Sequence, residues 1–404
     1  MRLKTLEEQR KRIVLLVLGM SSGLPFGLLA SSLILWMKYN NPSQLALSPF
    51  FLCTLPYCFK FLWAPWVETV KLPFSSWGQR RSWFLFTQAA MILTLYALSL
   101  SIYQGLSNLL VIGIAVLTAF FTATHDIVLD GYRIESYRDN PKQLILGTTL
   151  SSTGFKIGLY FSSAGTLYLV YLGYSWHLAF QMISSLLFLG PIALIFAEET
   201  QNRPCKKSEV FYFKDFFKIK HWYLLILFIL TFKIADSIPA GLTHTLLVDL
   251  SRSLSEITHS TKTFGLPCMI FGGILGGIIL NKYGIKKALL IAACIQIFAP
   301  FVCWILTQYP VTSNELMLVV AIQNFCCGVG STALLTFLSA QCNNNYAASQ
   351  FSTIYSFSSF SRISLCFFGS LTVDYAGWNN LFFFVFILSF SAIPVIYWIT
   401  QKDT

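Results

Sequence analysis

Four cations lie deep inside apolar runs of this sequence: Lys60, Lys156, Lys233 and Arg362. A charge in a membrane span costs about 2.5–3.5 kcal/mol on insertion scales, so each needs a partner or a wet cavity. Arginine offers a planar fork for bidentate contact with a carboxylate or phosphate, and lysine a compact point charge. The chemistry these residues suit is recognition of an anion inside a hydrophobic protein. Acids accompany them: Asp126, Asp130 and Asp236, with Glu68 and Glu135 at the ends of apolar runs. Asp126 and Asp130 are four residues apart and share a helix face. Two such carboxylates, partly desolvated, can hold one proton between them, as proton coupling requires. Asp126 has two open readings, proton coupling or a structural pair with Lys60 or Lys156. Lys233 and Asp236, three apart on one face, read more simply as a local ion pair, with Asp130 and Asp236 as further proton-coupling candidates. His125, beside Asp126, reads as a hydrogen-bonded packing residue before a proton carrier.

The elements that position these groups follow from composition. Of 404 residues, 55% are hydrophobic and 11% charged, with a mean hydropathy of +0.64. Soluble domains carry about 25% charged residues, so no water-soluble fold of this length could cover itself. The apolar runs are about 20 residues long, matching a hydrocarbon core of about 30 Å. Spans are expected near 13–37, 45–68, 83–104, 108–130, 144–171, 176–197, 221–248, 263–281, 286–307, 315–339, 346–373 and 378–400. The basic stretch Met1 to Arg12 precedes an apolar run too long for a signal core, so it reads as the lead into a retained first span. The ten cysteines show no C-x-x-C spacing and sit mostly in apolar runs, which suggests packing and no metal site. No phosphate-binding loop is present, so no cofactor and no ATP drive are expected.

The formal charge of +11 could suggest nucleic acid, but its distribution is topological. With the N-terminus inside, twenty-one lysines and arginines fall in cytoplasmic segments and three in external loops. Both termini are therefore expected in the cytoplasm, and a nucleic-acid partner is excluded.

The long polar segment 198–220 divides the chain into residues 1–197 and 221–404, which read as copies. Ser22-Gly23-Leu24-Pro25 parallels Asp236-Ser237-Ile238-Pro239 at an offset of 214. Gly78-Gln79-Arg80-Arg81 parallels Gly284-Ile285-Lys286-Lys287 at 206, and Lys156 falls on Arg362 at the same offset. Trp176-x-x-x-Phe180 matches Trp378-x-x-x-Phe382 at 202. The expected fold is all-α and polytopic, about twelve helices in two pseudo-symmetric six-helix bundles, the major facilitator architecture. The symmetry would set Lys156 and Arg362 on opposite sides of a central cavity, where one anionic group could bridge them. Gly277 to Lys287 resembles that superfamily's loop motif, and its first-half copy has Glu68 at the acid position with an insertion before Arg80. Cations there can pair with acids or helix ends and hold one conformation. Gly19, Gly23 and Gly27, and Gly272, Gly273, Gly276 and Gly277, have the small-residue spacing of close helix contacts.

Several stretches together resemble the AmpG-type muropeptide permeases. They are Gly19 to Pro25 with Trp36-Met37, Phe59-Lys60-Phe61-Leu62-Trp63-Ala64-Pro65, and Arg80-Arg81 with Trp83, Thr87 and Gln88. Asp126-Ile127-Val128-Leu129-Asp130, Lys233-x-x-Asp236, Cys342-Asn343, Ser349-Gln350-Phe351 and Arg362 complete the set. The resemblance implies import of anhydromuropeptides from periplasm to cytoplasm with protons. The protein is expected in a bacterial inner membrane, as a monomer. Lys60, Lys156, Lys233 and Arg362 would then meet the carboxylates of an anionic glycopeptide. Trp36, Trp63, Gln323, Asn324 and Gln350 could meet its sugars. Glu68, His125 and Lys156 depart from the family pattern, where Asp, Gln and Arg are expected. Another organic anion such as acetyl-CoA is the alternative substrate. A membrane-bound transferase is disfavoured, because the external loops are short and carry no catalytic constellation, so the chain is not expected to be an enzyme.

Overall fold

The computed structural model describes residues 2–40, 53, 55–73, 77–137, 140–197, 213–219, 221–250, 256, 259–309, 312–342 and 346–402. Most of the polar segment 198–220 and the first part of the second span lie outside the described residues. Among the described residues all regular structure is helical. Among the described residues, eight helices are long and apolar enough to cross a membrane. Two of them, His259–Gln308 with 50 residues and Ala347–Ile399 with 53, are too long for one crossing at 1.5 Å rise per residue. Each is folded at a glycine in the left-handed region, Gly284 (φ 74°) and Gly377 (φ 77°), and supplies two spans. The fifth span, 141–171, is helical throughout but too polar to count among the eight.

The folding glycines recur at the spacing of the sequence repeat. Gly78 (φ 112°) lies 206 residues before Gly284, and Gly173 (φ 92°) lies 204 before Gly377. A side chain costs about 1–3 kcal/mol in that conformation, so glycine occupies it. The same sharp turn thus precedes spans three and nine, and spans six and twelve.

The chain forms two compact units, residues 1–213 with 342–356, and residues 214–341 with 357–404. In the first unit, Leu24, Leu28, Trp36, Met91, Leu95 and Phe180 form one core cluster. Val14, Leu18, Phe84, Val128, Tyr132 and Ala348 form another toward the opposite end of the spans. The second unit packs Ile238, Leu246, Leu316, Val320 and Phe382. Glycines set the closest approaches. A Cβ at Gly19 or Gly23 would meet the carbonyls of Ser151 and Phe155, so spans one and five run backbone against backbone. In the second unit Gly272 and Gly276 do the same for spans eight and ten, against Phe325 and Val329.

Candidate functional site

The second span is broken where its charge sits. A helix at Leu55–Phe59 gives way to a tight turn at Lys60–Leu62, and a new helix, Ala64–Thr69, starts with Pro65 in its first turn. Proline is well placed at a helix start and cannot donate backward into the preceding turn, which is why the break falls there. Lys60 is 2% exposed at this break. Its Nζ lies 3.2 Å from Asp130 Oδ2 and 5.1 Å from the centre of the Tyr355 ring.

Asp130 is also 3.1 Å from Arg133 Nη1, three residues along the same helix. Arg133 reaches Ser151 Oγ at 3.2 Å, and its guanidinium sits 5.1 Å from the Phe351 ring. Asp126, one turn earlier, accepts a hydrogen bond from the Ser22 hydroxyl. The two carboxylates therefore share a face, as their spacing requires, but differ in company: Asp130 lies between two cations, and Asp126 faces a hydroxyl. Among the described residues, the pair that Lys60 makes is with Asp130, and Asp126 forms none.

Toward the end of the spans a second buried network closes. Arg80 Nη2 lies 2.9 Å from Glu68 Oε2 and 2.5 Å from Glu135 Oε1. Glu68 Oε1 accepts from the backbone N–H groups of Ala348 and Ser349 at 2.8 and 3.2 Å. Those are the opening amides of the helix Ala347–Ser389, the end at which a negative charge is stabilised. An insertion separates Glu68 from Arg80 in sequence, and the two side chains nevertheless pair in space.

In the second unit Lys233 Nζ and Asp236 Oδ2 pair at 3.1 Å, and Asp236 also accepts from Ser237 at 3.0 Å. Arg362 is exposed, within electrostatic reach of the Cys366 thiol, and among the described residues it makes no ion pair or hydrogen bond. Lys156, its repeat counterpart, is 2% exposed. The two positions are equivalent by sequence and differ in burial.

The remaining candidates fall in both units. Trp36 is buried in the first core cluster. Gln323 is buried and accepts from Thr243 at 3.1 Å, and Asn324 donates to the Val320 carbonyl of its own helix at 2.9 Å. Gln350 is buried in the first turns of span eleven, within the first unit. His125 is fully buried, 3.1 Å from Gln88 and edge-on to Phe84, in keeping with a packing role. Trp63 donates to Thr124 at 3.0 Å and packs on Phe120. Sequence reasoning passed over Arg133, which lies just beyond the expected end of the fourth span. Its signal was the i, i+3 spacing from Asp130. Phe351 and Tyr355 carried no signal as ring partners, because nothing local says which cation a ring will meet.

The sequence profile of the Major Facilitator Superfamily matches residues 15–363. A protein of Rickettsia typhi named putative transporter AmpG 3 is 32% identical over 410 residues, 96% of each chain. The anhydromuropeptide permease of Escherichia coli K12 is 28% identical over 383 residues, 93% of this chain and 77% of that one. Among solved structures, the proton:xylose symporter XylE superposes with a TM-score of 0.73 at 10% identity, covering 97% of this chain and 96% of that one. A bacterial homologue of the iron transporter ferroportin gives 0.67 at 13% identity, covering 98% and 100%. At such identities the structural likeness concerns the fold alone.

Proposed function

Because the chain belongs to the Major Facilitator Superfamily, and the two relatives described above are named as a transporter and a permease, we propose that it imports anhydromuropeptides by proton symport. The polytopic membrane fold is the premise. The substrate class, the direction from periplasm to cytoplasm and the coupling ion are the reading. It includes placement in a bacterial inner membrane with both termini cytoplasmic, and two pseudo-symmetric six-helix halves, 1–197 and 221–404, working as a monomer. The named activity of the Escherichia coli relative supports the substrate class. The excess of basic residues in alternate loops supports the orientation.

The observation that carries the coupling step is the difference between Asp126 and Asp130. A proton arriving at Asp130 would disrupt a carboxylate held by Lys60 and Arg133 at 3.2 and 3.1 Å. One arriving at Asp126 changes the charge of the cluster without breaking an ion pair. Asp126 is therefore the proton site in this reading, and Asp130 holds the cluster together. Asp236, paired with Lys233, is the second-unit alternative. Arg362 is the first substrate-binding residue, since a carboxylate would meet there a guanidinium that the described residues leave without an ion pair. Lys156, Lys233, Lys60, Gln323, Asn324, Gln350 and Trp36 complete the proposed set.

Uptake of a labelled anhydromuropeptide into vesicles tests this, with and without an inward proton gradient. Gradient-dependent uptake that Asp126→Asn abolishes is the expected result. A well-folded protein that takes up no muropeptide refutes the substrate class, and acetyl-CoA is then the next anion to try.

A further inference from the structure

Two of the buried cations of the first unit are capped by aromatic rings from one helix. Lys60 lies 5.1 Å from the Tyr355 ring and Arg133 5.1 Å from the Phe351 ring. Phe351 and Tyr355 are one turn apart, and their rings stack at 5.6 Å with planes 15° from parallel. Both belong to the stretch 342–356, the start of span eleven, which packs as part of the first unit although the rest of that helix belongs to the second. The same two cations flank Asp130, and Lys60 also feels Asp126. Lys60 is thus shared between carboxylates of span four and a ring of span eleven.

We infer that Phe351 and Tyr355 are positioning residues that make the docking of span eleven's first turns sensitive to the charge on Asp126. The inference rests on the proton-symport reading above. With both aspartates ionised, Lys60, Arg133, Asp126 and Asp130 sum to no net charge. A proton on Asp126 leaves one positive charge in excess. The attraction of a cation for a ring face is electrostatic and strongest when the cation is desolvated and poorly neutralised. Protonation thus tightens the hold on Phe351 and Tyr355, and loss of the proton draws Lys60 back toward two carboxylates and loosens the helix start. A neutral hydrocarbon side chain would dock there with no such dependence.

Other titratable groups face the same segment and must be told apart. Glu68 accepts from the Ala348 and Ser349 amides and is tied through Arg80 to Glu135. Cys342 lies near Arg133 and Asp130, and Tyr57 near Asp126. The variant Asp126→Asn separates their contribution from that of Asp126.

The test is amide hydrogen exchange over residues 347–356 in the detergent-solubilised full chain between pH 5 and 8, corrected for intrinsic rates. It needs no substrate. Protection in the wild type is expected to be roughly threefold to tenfold greater at the acid end, the range a desolvated cation–ring contact can supply. Asp126→Asn should hold the protected level at every pH. Tyr355→Phe should keep the pH dependence, because the ring face remains, and Phe351→Leu with Tyr355→Leu should abolish it. Wild-type protection independent of pH, or a dependence that survives Asp126→Asn, overturns the inference, as does equal behaviour of the Phe and Leu variants. Muropeptide uptake measured in parallel reports on the transport reading separately. Its absence from a protein with the expected exchange pattern would refute the substrate and leave the coupling in place.

Discussion

Glu68 Oε1 accepts a hydrogen bond of 2.8 Å from the backbone amide of Ala348, so a carboxylate of the second span caps the eleventh. The other oxygen of that carboxylate holds Arg80 at 2.9 Å. One buried acid therefore satisfies a helix end and a guanidinium together. Glu68→Ala leaves both without it, and removing one partner of a buried pair costs about 3 kcal/mol. A fall in the midpoint of thermal unfolding is expected, with Glu68→Gln intermediate, because an amide oxygen can still accept from Ala348. Equal midpoints for the two variants would mean that the charge matters and the capping does not.

The two aspartates of span four should separate in one experiment. Asp130→Asn leaves Lys60 and Arg133 facing a neutral amide, and a loss of stability of about 3 kcal/mol is expected. Asp126→Asn keeps a group that can accept from Ser22, so stability should change by less than about 1 kcal/mol while gradient-driven uptake disappears. Unfolding midpoints and uptake, measured on both variants, check this. The reverse pattern would transfer the proton site to Asp130.

Arg362 is exposed and makes no ion pair or hydrogen bond among the described residues, so its removal should leave the fold within about 0.5 kcal/mol. A charge-assisted contact to a substrate anion contributes about 1.5–3 kcal/mol, which predicts a KM raised roughly tenfold or more in Arg362→Ala. Arg362→Lys should recover part of it, since a point charge replaces a fork. Unchanged kinetics in Arg362→Ala would remove this residue from the substrate site.

Gly23 and Gly113 make a matched pair of probes. A Cβ at Gly23 would run into the Phe155 carbonyl, whereas one at Gly113 meets nothing within 4 Å. Gly23→Ala should cost about 1–3 kcal/mol by overpacking. Gly113→Ala, in the exposed face of a helix, should be neutral or slightly stabilising. Thermal unfolding of the two variants provides the comparison.

Much of this architecture is legible in the sequence, and the reasons differ by residue. The spans declared themselves through runs of apolar residues, which depend on local composition alone. The duplication showed in Gly78 and Gly284, because a left-handed turn tolerates little else and its place in the chain is kept. Lys233 and Asp236 could be paired in advance, being three apart on one helix. Lys60 could not be assigned, since Asp126 and Asp130 were equally near in sequence terms and only packing decides which one it meets. Lys156 and Arg362 were legible as repeat partners, but their unequal burial depends on neighbours that the repeat does not copy. The links from Glu68 to Ala348 and from Lys60 to Tyr355 join residues about 280 and 295 positions apart, beyond the reach of any periodicity.

The fifth span carries a consequence for how the protein is made. Eight serines and threonines lie between Thr148 and Thr166, and several donate to carbonyls of their own helix, as Thr149 does to Ile145 and Thr166 to Ser162. With Lys156 among them, this segment is a poor substrate for an insertion machinery that selects on hydrophobicity. Its Gly154 and Gly158 fit against the backbone of span one at Leu16 and Met20. Span one is synthesised first and can wait beside the translocon as a template, so biogenesis of the fifth span is expected to depend on a partner already in the bilayer. Chains truncated after residue 175 and released from the ribosome should retain span five in the membrane when Gly19 and Gly23 are intact and lose it when both are replaced by leucine.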